Sequence, residues 1–418
     1  MTRPVPRSDI KHGRESRSGL RRLAHGLYVL SAWLLVAPIF CLTAIMARIF
    51  RAVKGRSDKP RLLWAGAPMP SLATTSQAMS QAGYISASLA NQIYSTNVEG
   101  QFDNILPLSK RLPAGLNTPA YIFRAAGRFI WAMFQVDIYH SFFSGGVLGH
   151  TPLQRIELPI LRLSGVKSVV MPYGSDAFVY SDLPDTAWAR AIKEFYPRPK
   201  KQDRQVKARI EQVSEVADYV VGCIVHTANL PRVDKWTVLW YPSGNDIEMG
   251  PVRQRDIGSS LRIAHPSNHR QIKGTDSLIA AVERLRDRGC DIDLDVIEGV
   301  TITESRRRMA QADIIVDQLL MGYAMTAVEG LAMGKVVVSG FNWVEPLYQP
   351  FYEKSYLDQC PIIMASPDTI EDVLFDLYGD RDSIAIVGAK SRAYYEKFHA
   401  EKPCVELFEA IYGELGWD

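Results

Sequence analysis

Two cations stand just ahead of a predicted helix in this chain. Arg270 and Lys273 lie in HRQIKGTDSLIAAVERL, followed by Gly274 and then an apolar 3.6-residue rhythm from Thr275 to Asp287 in which Leu278, Ile279, Val282 and Leu285 share a face. Fixed cations and the free amides of a helix amino terminus both stabilise negative charge that develops on a bound group. Further along, MGYAMTAVEGLAMGKVVV sets Glu329 inside an otherwise apolar helix, where an ionised carboxylate is costly unless it is paired or used. Gly322, Tyr323 and Ala324 precede that helix; Gly322, Ala324 and Gly330 are small enough to let a ligand approach the backbone. Glu298 closes the strand pattern IDLDVIEG and joins the same set of candidates. In the first half of the chain, His140, the pair Gly145-Gly146, and Tyr173 with Gly174-Ser175-Asp176 each follow an apolar run.

The elements that must position these residues alternate between buried-strand and helix patterns. RLLWAGAP, ISASLANQIYS, FQVDIYHSF, VKSVVMPYG, ADYVVGCIV and WTVLWYPSGND read as strands of a first unit. LRIAHPSN, IDLDVIEG, DIIVDQL and KVVVSG read as strands of a second. Such alternation predicts parallel sheets with crossover helices, whose ligands bind beyond the carboxyl ends of the strands. The stretch from Tyr180 to Arg209 reads as surface helix and loop, and the polar Gly/Pro-containing stretch from Glu248 to Ser260 as a linker. The expected layout is a basic arm over 1–22, an apolar membrane-anchoring helix over 23–50, a first Rossmann-like domain over 60–250, a second over 260–395, and a terminal helix over 396–418.

At 418 residues, with 47% hydrophobic and 22% charged residues, the chain suits two ordinary globular domains. The net charge of +3 is unevenly spread: 13 lysines and arginines before residue 62 face only Asp9, Glu15 and Asp58. The rest is mildly acidic, which argues for anionic lipid near one end and against nucleic acid. Leu23–Phe50 carries no charge between His25 and Arg48, long enough to cross a bilayer. Basic clusters on both flanks leave the orientation open, and Pro38 leaves both a single tilted span and a broken, re-entrant helix open. The five cysteines are dispersed without a CxxC pair, so neither a disulfide framework nor a zinc site is expected. GxGxxG, GxSxG and HExxH patterns do not occur. Asp291, Asp293 and Asp295 spell DxD, but on a predicted strand and late in the chain, so no metal is expected.

The two motifs from His265 to Gly340 resemble the carboxy-terminal half of retaining GT-B glycosyltransferases of family 4, the glycosyl transferases group 1. About 75 residues carry the resemblance; the amino half matches in rhythm and in YGSDA. It implies two Rossmann-like domains around a cleft, a nucleotide-sugar donor, and no metal or other cofactor; with the apolar run flanked by basic clusters, the expectation is an acceptor from a membrane-associated glycan or polysaccharide pathway, a lipid-linked one included, and catalytic domains held at the cytoplasmic face. The resemblance gives Arg270, Lys273, Gly274, Glu298, Gly322, Tyr323, Ala324 and Glu329 to the donor, with Glu329 accepting from the ribose hydroxyls, and leaves Asp176, His140 and Tyr173 as catalytic candidates. Departures are plain. Met321 stands where an acidic residue is usual, Tyr173 where many members carry histidine, and the Arg270-to-Lys273 spacing is short, so that Asn268 and His269 become further phosphate candidates. Met321 and Tyr173 motivate a second reading, a catalytically weakened GT-B subunit that scaffolds a glycan-assembly complex; a nucleotide-sugar epimerase is a third.

Overall fold

A computed structural model describes residues 26, 28–94, 97, 100–106, 114–223, 229–239, 241–242, 247, 260–322, 324–340 and 356–417. Most of the expected linker and the basic arm lie outside these residues.

The six apolar runs of the first half become six of seven parallel strands: β1 (Leu62–Gly66), β2 (Ser86–Ala90), β4 (Ile138–Phe142), β5 (Lys167–Met171), β6 (Tyr219–Cys223) and β7 (Lys235–Thr237), while the two-residue edge strand β3 (Asn104–Ile105) lies outside those runs. Their order is β3-β2-β1-β4-β5-β6-β7, so the chain reverses direction across the sheet between β1 and β4. A second sheet contains β8 (Leu261–Pro266), β9 (Ile292–Ile297), β10 (Ile314–Val316), β11 (Val336–Ser339) and β12 (Ile363–Met364), ordered β12-β11-β10-β8-β9 and again parallel, with its reversal between β8 and β10. Two such switch points create two crevices at strand carboxyl ends. The two-domain α/β architecture is that of the GT-B fold.

The first sheet is covered by α1 (Ala37–Lys54), α2 (Pro70–Gln81), α3 (Ala114–Gln135), α4 (Glu157–Ser164), α5 (Ala187–Phe195) and α6 (Lys200–Val216). The second is covered by the short turn α7 (Arg270–Lys273), then α8 (Thr275–Asp287), α9 (Ile302–Met309), α10 (Met325–Ala332), α11 (Ile370–Gly379) and α12 (Arg381–Phe398). The expected helix from Thr275 to Asp287 is found with those bounds. The Tyr180–Arg209 stretch is more ordered than its charge suggests. It contains α5 and most of α6, and α5 buries Trp188, Ala189, Ala191 and Ile192 in a cluster with Ile272, against which Leu320 and Met321 of the second domain pack.

The terminal helix, α13 (Glu401–Glu414), leaves the second domain and returns to the first. Phe408, Ile411 and Tyr412 share a core with Trp64, Leu72 and Met79. The grouping of 396–418 as a separate terminal element misses this: it completes the first domain.

The apolar amino-terminal run is helical from Tyr28 to Lys54 and is long and apolar enough to cross a membrane. It does not stand apart from the body, however. Phe40, Ala44 and Ala47 are fully buried, and Phe40 meets Phe129 of α3 edge-on at 5.0 Å. Pro38 has no N–H to offer residue 34, and just before it the helix loosens to a π-turn over Ala32–Val36, the Ala37 amide reaching back to Ala32.

Candidate functional site

At the second switch point the residues that surround the crevice come from β8, α7, β10 and α10. Near the end of β8 stands His265, which is fully buried. Its Nδ1 lies 2.8 Å from the Val316 carbonyl and its Nε2 2.8 Å from Thr275 Oγ1, which fixes the first turn of α8 to the sheet. α7 delivers Lys273, and Gly274 then turns the chain with φ +70° into α8. A Cβ at Gly274 would lie 2.9 Å from Leu319 Cβ, so this position requires glycine on both conformation and space. β10 delivers Asp317, which is wholly buried. Lys273 Nζ donates to Asp317 Oδ1 at 2.9 Å and to Thr326 Oγ1 at 3.2 Å; Asp317 Oδ2 accepts the Ala324 amide at 2.8 Å at the amino end of α10. An ammonium has three protons, and these bonds use two. The Lys273 side chain keeps 11% of its surface exposed.

Of the residues the sequence groups together, the structure links Lys273 to the Ala324 amide through Asp317, with Gly274 at the turn that follows Lys273. Sequence reasoning misses Asp317 and Thr326. An aspartate ending the apolar run DIIVD was the available signal, because a buried carboxylate there must have a partner. Tyr323 lies outside the described residues.

Arg270 and Glu298 are not poised separately. Arg270 NH1 donates to both Glu298 oxygens at 3.0 Å, and its Nε and NH2 donate to Asp276 Oδ1 at 3.2 and 2.6 Å. These groups are solvent-exposed, and an ion pair of this kind gives way to a competing anion at small cost. His269 Nδ1 lies 2.5 Å from the Tyr196 hydroxyl, a contact between the two domains across the crevice.

Glu329 is buried in α10, as its apolar surroundings indicate, but it is paired. Arg306 from α9 donates Nε at 3.0 Å and comes within 2.9 Å through NH2. Sequence reasoning found no cation on the neighbouring turns of the same helix; the partner comes from 23 residues upstream.

In the first domain His140 is a core residue. It is fully buried, stacked on Trp64 at 3.6 Å and 10°, with Nε2 3.0 Å from the Tyr412 hydroxyl and Nδ1 3.3 Å from the Leu63 carbonyl. Both ring nitrogens are occupied and α13 covers the ring, so His140, a catalytic candidate from the sequence, is a packed core residue instead. Tyr412→Phe is expected to lower stability by about 1–2 kcal/mol, the cost of orphaning a buried ring nitrogen, and to leave nucleotide affinity unchanged. Denaturant unfolding beside a nucleotide titration checks this.

Burial pushes the His140 imidazole down to about 3, His399 to about 3 and His265 to about 4. Their folded values lie below the unfolded value near 6.5. The unfolded chain therefore binds the extra protons, and stability is lost as pH falls from about 6.5 toward 4. Each group adds up to about 1.4 kcal/mol per pH unit of slope. Unfolding followed at pH 7.5, 6 and 4.5 should show a falling midpoint; a flat profile counts against neutral buried rings.

The Gly145-Gly146 pair owes its composition to packing. A Cβ at Gly146 would fall 2.0 Å from the Tyr139 hydroxyl. That hydroxyl donates to Glu157 at 2.6 Å, and Glu157 also accepts the Gly146 and Leu148 amides at 3.0 Å. Asp176 caps the YGSD turn through Oδ1, which accepts the Tyr173 amide at 3.1 Å and the Gly174 amide at 3.0 Å; Oδ2 has no partner among the described residues. Burial raises the Asp176 carboxyl to about 7, against the pull of the same two amides and Arg209. Tyr173 packs edge-on to Phe142 at 4.7 Å. Nearby, a recess of about 240 Å³ opens between α4 and α6, lined by Ser141, Arg155, Glu157, Arg209 and Gln212 among others.

No family model matches this chain, and no curated protein matches its sequence. Its fold does match solved structures. Anabaena HepE in complex with UDP aligns with a TM-score of 0.50 at 11% identity, covering 85% of this chain and all of the other. The catalytic domain of starch synthase IV from Arabidopsis thaliana, bound to ADP and acarbose, aligns with a TM-score of 0.51 at 8% identity, covering 85% and 99%. These likenesses support the GT-B fold.

Proposed function

We propose that this protein transfers a sugar from a nucleotide-sugar donor to an acceptor. The observation that carries the reading is the Lys273–Asp317–Thr326 cluster at the amino end of α10, in the second domain of a GT-B fold. As the glycosidic bond of the donor breaks, negative charge gathers on the departing nucleoside diphosphate. An ammonium with two of its three protons engaged among the described residues, together with the first amides of α10, meets that charge without rearrangement. UDP occupies the related fold of HepE and ADP that of starch synthase IV; a nucleoside diphosphate in this crevice is the corresponding proposal here. Glu329, oriented by Arg306, would accept from the ribose hydroxyls, and Gly322 and Ala324 would border the sugar.

Because Lys273 and the α10 amides supply the positive charge, the reaction is proposed to proceed without a divalent metal; anomeric retention is proposed from the resemblance of the two donor motifs to retaining enzymes. Arg209 lines the recess of the first domain and donates to the Asp176 carbonyl, and that recess is the proposed acceptor side, with Asp176 and Tyr173 proposed to act there. The acceptor is proposed to belong to a membrane-associated glycan pathway, because of the apolar amino-terminal helix, with the domains on the cytoplasmic side. A thermal-shift screen against UDP, GDP, ADP and their sugars tests the reading, since a ligand that binds only the folded state raises its stability. Hydrolysis or transfer from the stabilising donor should then persist in EDTA.

One observation favours the scaffolding reading. Met321 packs in the apolar seam with Ile272 and the α5 cluster, so the position usually given to an acidic sugar contact serves interdomain packing. Donor binding without turnover across an acceptor mixture would select that reading.

A further inference from the structure

The amino-terminal helix has its large residues on the wrong side for a soluble protein. At about 100° per residue, Phe40, Ala44 and Ala47 fall on one face, and that face is buried on the body. Apart from Phe40 the inward residues are alanines. Leu42, Ile45, Met46, Ile49 and Val53 fall on the opposite face and are 47–83% exposed. A helix adapted to water would bury the bulky residues and expose the small ones.

The helix is also pinned along its length. Ala32 is buried at its start and Phe40 meets Phe129 near its middle. At its end, Phe50 meets Phe134 at 5.9 Å, Arg51 donates to the Met133 carbonyl at 2.8 and 3.1 Å, and its NH1 pairs with Asp137 at 2.6 Å. A span normal to the membrane would have to lie before the pinned Phe40. Even a helix begun at Leu23 would reach only about 26 Å by Ile39, against about 30 Å of hydrocarbon.

The outward face continues onto α3. Phe123, Phe134 and Trp131 lie within about 80° of one another on that helix. Phe134 touches Phe50 of α1, while Phe123 is 79% and Trp131 39% exposed. Exposed Arg48 and Lys54 on α1, Arg124 and Arg128 on α3, and Arg162 on α4 border the surface. The only acidic residue within the described parts of these three helices is Glu157, which is buried. An apolar face whose exposed charges, on the described parts of these helices, are all cationic complements an anionic lipid surface.

We infer that α1 and α3 form one interfacial face that lies in the plane of an anionic bilayer, so that the protein sits on the membrane rather than being tethered by a spanning helix. The inference rests on the membrane attachment proposed above and specifies its geometry. α4, which lines the recess with Glu157, Leu158 and Pro159, also carries Arg162 at the rim, so the proposed acceptor recess lies one helix away from the headgroups.

Flotation of the full chain with phosphatidylcholine vesicles, with and without phosphatidylglycerol, tests both levels. The wild type should float with the anionic vesicles. Phe123→Asp/Trp131→Asp should reduce the floated fraction at least tenfold, and Arg124→Glu/Arg128→Glu should abolish the preference for anionic lipid; a thermal melt equal to wild type shows that each variant is folded. Undiminished flotation of the α3 variants would overturn the interfacial geometry and leave membrane attachment standing on α1 alone. If the wild type floats with neither vesicle, both fall. A stable dimer in sedimentation that does not bind vesicles would mean that a second copy covers the face, and would overturn the inference.

Discussion

Replacing Lys273 with methionine should damage the protein in two separable ways. Asp317 is wholly buried, and among the described residues Lys273 is its one cationic partner. Removing that partner leaves an uncompensated buried carboxylate, which costs about 3–5 kcal/mol of stability. The same change removes a charge-assisted contact to a bound diphosphate, worth about 1.5–3 kcal/mol, or roughly tenfold to a hundredfold in affinity. Lys273→Met/Asp317→Asn separates the two. The neutral amide can still accept the Ala324 amide and no longer needs a cation, so the double variant should recover most of the lost stability. It should not recover nucleotide affinity. If nucleotide affinity returns together with stability, the lysine acts only through the fold and the donor-site assignment fails.

The second large effect is expected at Arg306. Its guanidinium neutralises Glu329 inside α10, and the two side chains are only 18% and 8% exposed. Arg306→Met should therefore destabilise by about 3 kcal/mol or more. Glu329→Gln should cost less, because the charge left over is an arginine with a route to solvent. For nucleotide affinity the ranking is expected to invert. Glu329→Gln should weaken binding by about 1–3 kcal/mol through the lost ribose contact. Against this variant a 2′-deoxy form of the bound nucleotide should lose little further affinity. Additive losses from the two changes would show that Glu329 does not touch the ribose and that the pair is structural.

These two residues also show what could be read before the structure. The strand–helix rhythm marked the inner strands of both sheets, because each apolar run had to be buried on two faces, and missed the two-residue edge strands β3 and β12, which are too short to show a run. Gly274 marked the turn into α8 correctly, because left-handed backbone beside Leu319 leaves no other choice. The burial of Glu329 was legible for the same reason, from its apolar neighbours. Its partner was not, since helical periodicity informs only on contacts within a few residues, and Arg306 reaches it from another helix. His140 failed in the same manner. A polar residue at the end of a strand resembles a site residue until something covers it, and the cover, Tyr412, lies 272 positions away. The amino-terminal helix was read correctly as apolar and long, but composition alone could not show that its alanine face is committed to the body.

The return of α13 has a consequence for how the molecule is made. The first domain is synthesised first, yet a core that contains Trp64, Leu72 and Met79 is completed by Phe408, Ile411 and Tyr412. Arg56 fastens the last turn as well, donating to the Gly416 carbonyl at 2.7 Å and stacking over the Trp417 ring at 4.0 Å. Domains generally form in order as they leave the ribosome. Here the second domain has its whole sheet available while the first still exposes an unfilled apolar slot beside His140. The earlier-made half thus waits for a segment made after the second domain, and a stop placed before α13 would spare every crevice residue yet leave that half unfinished.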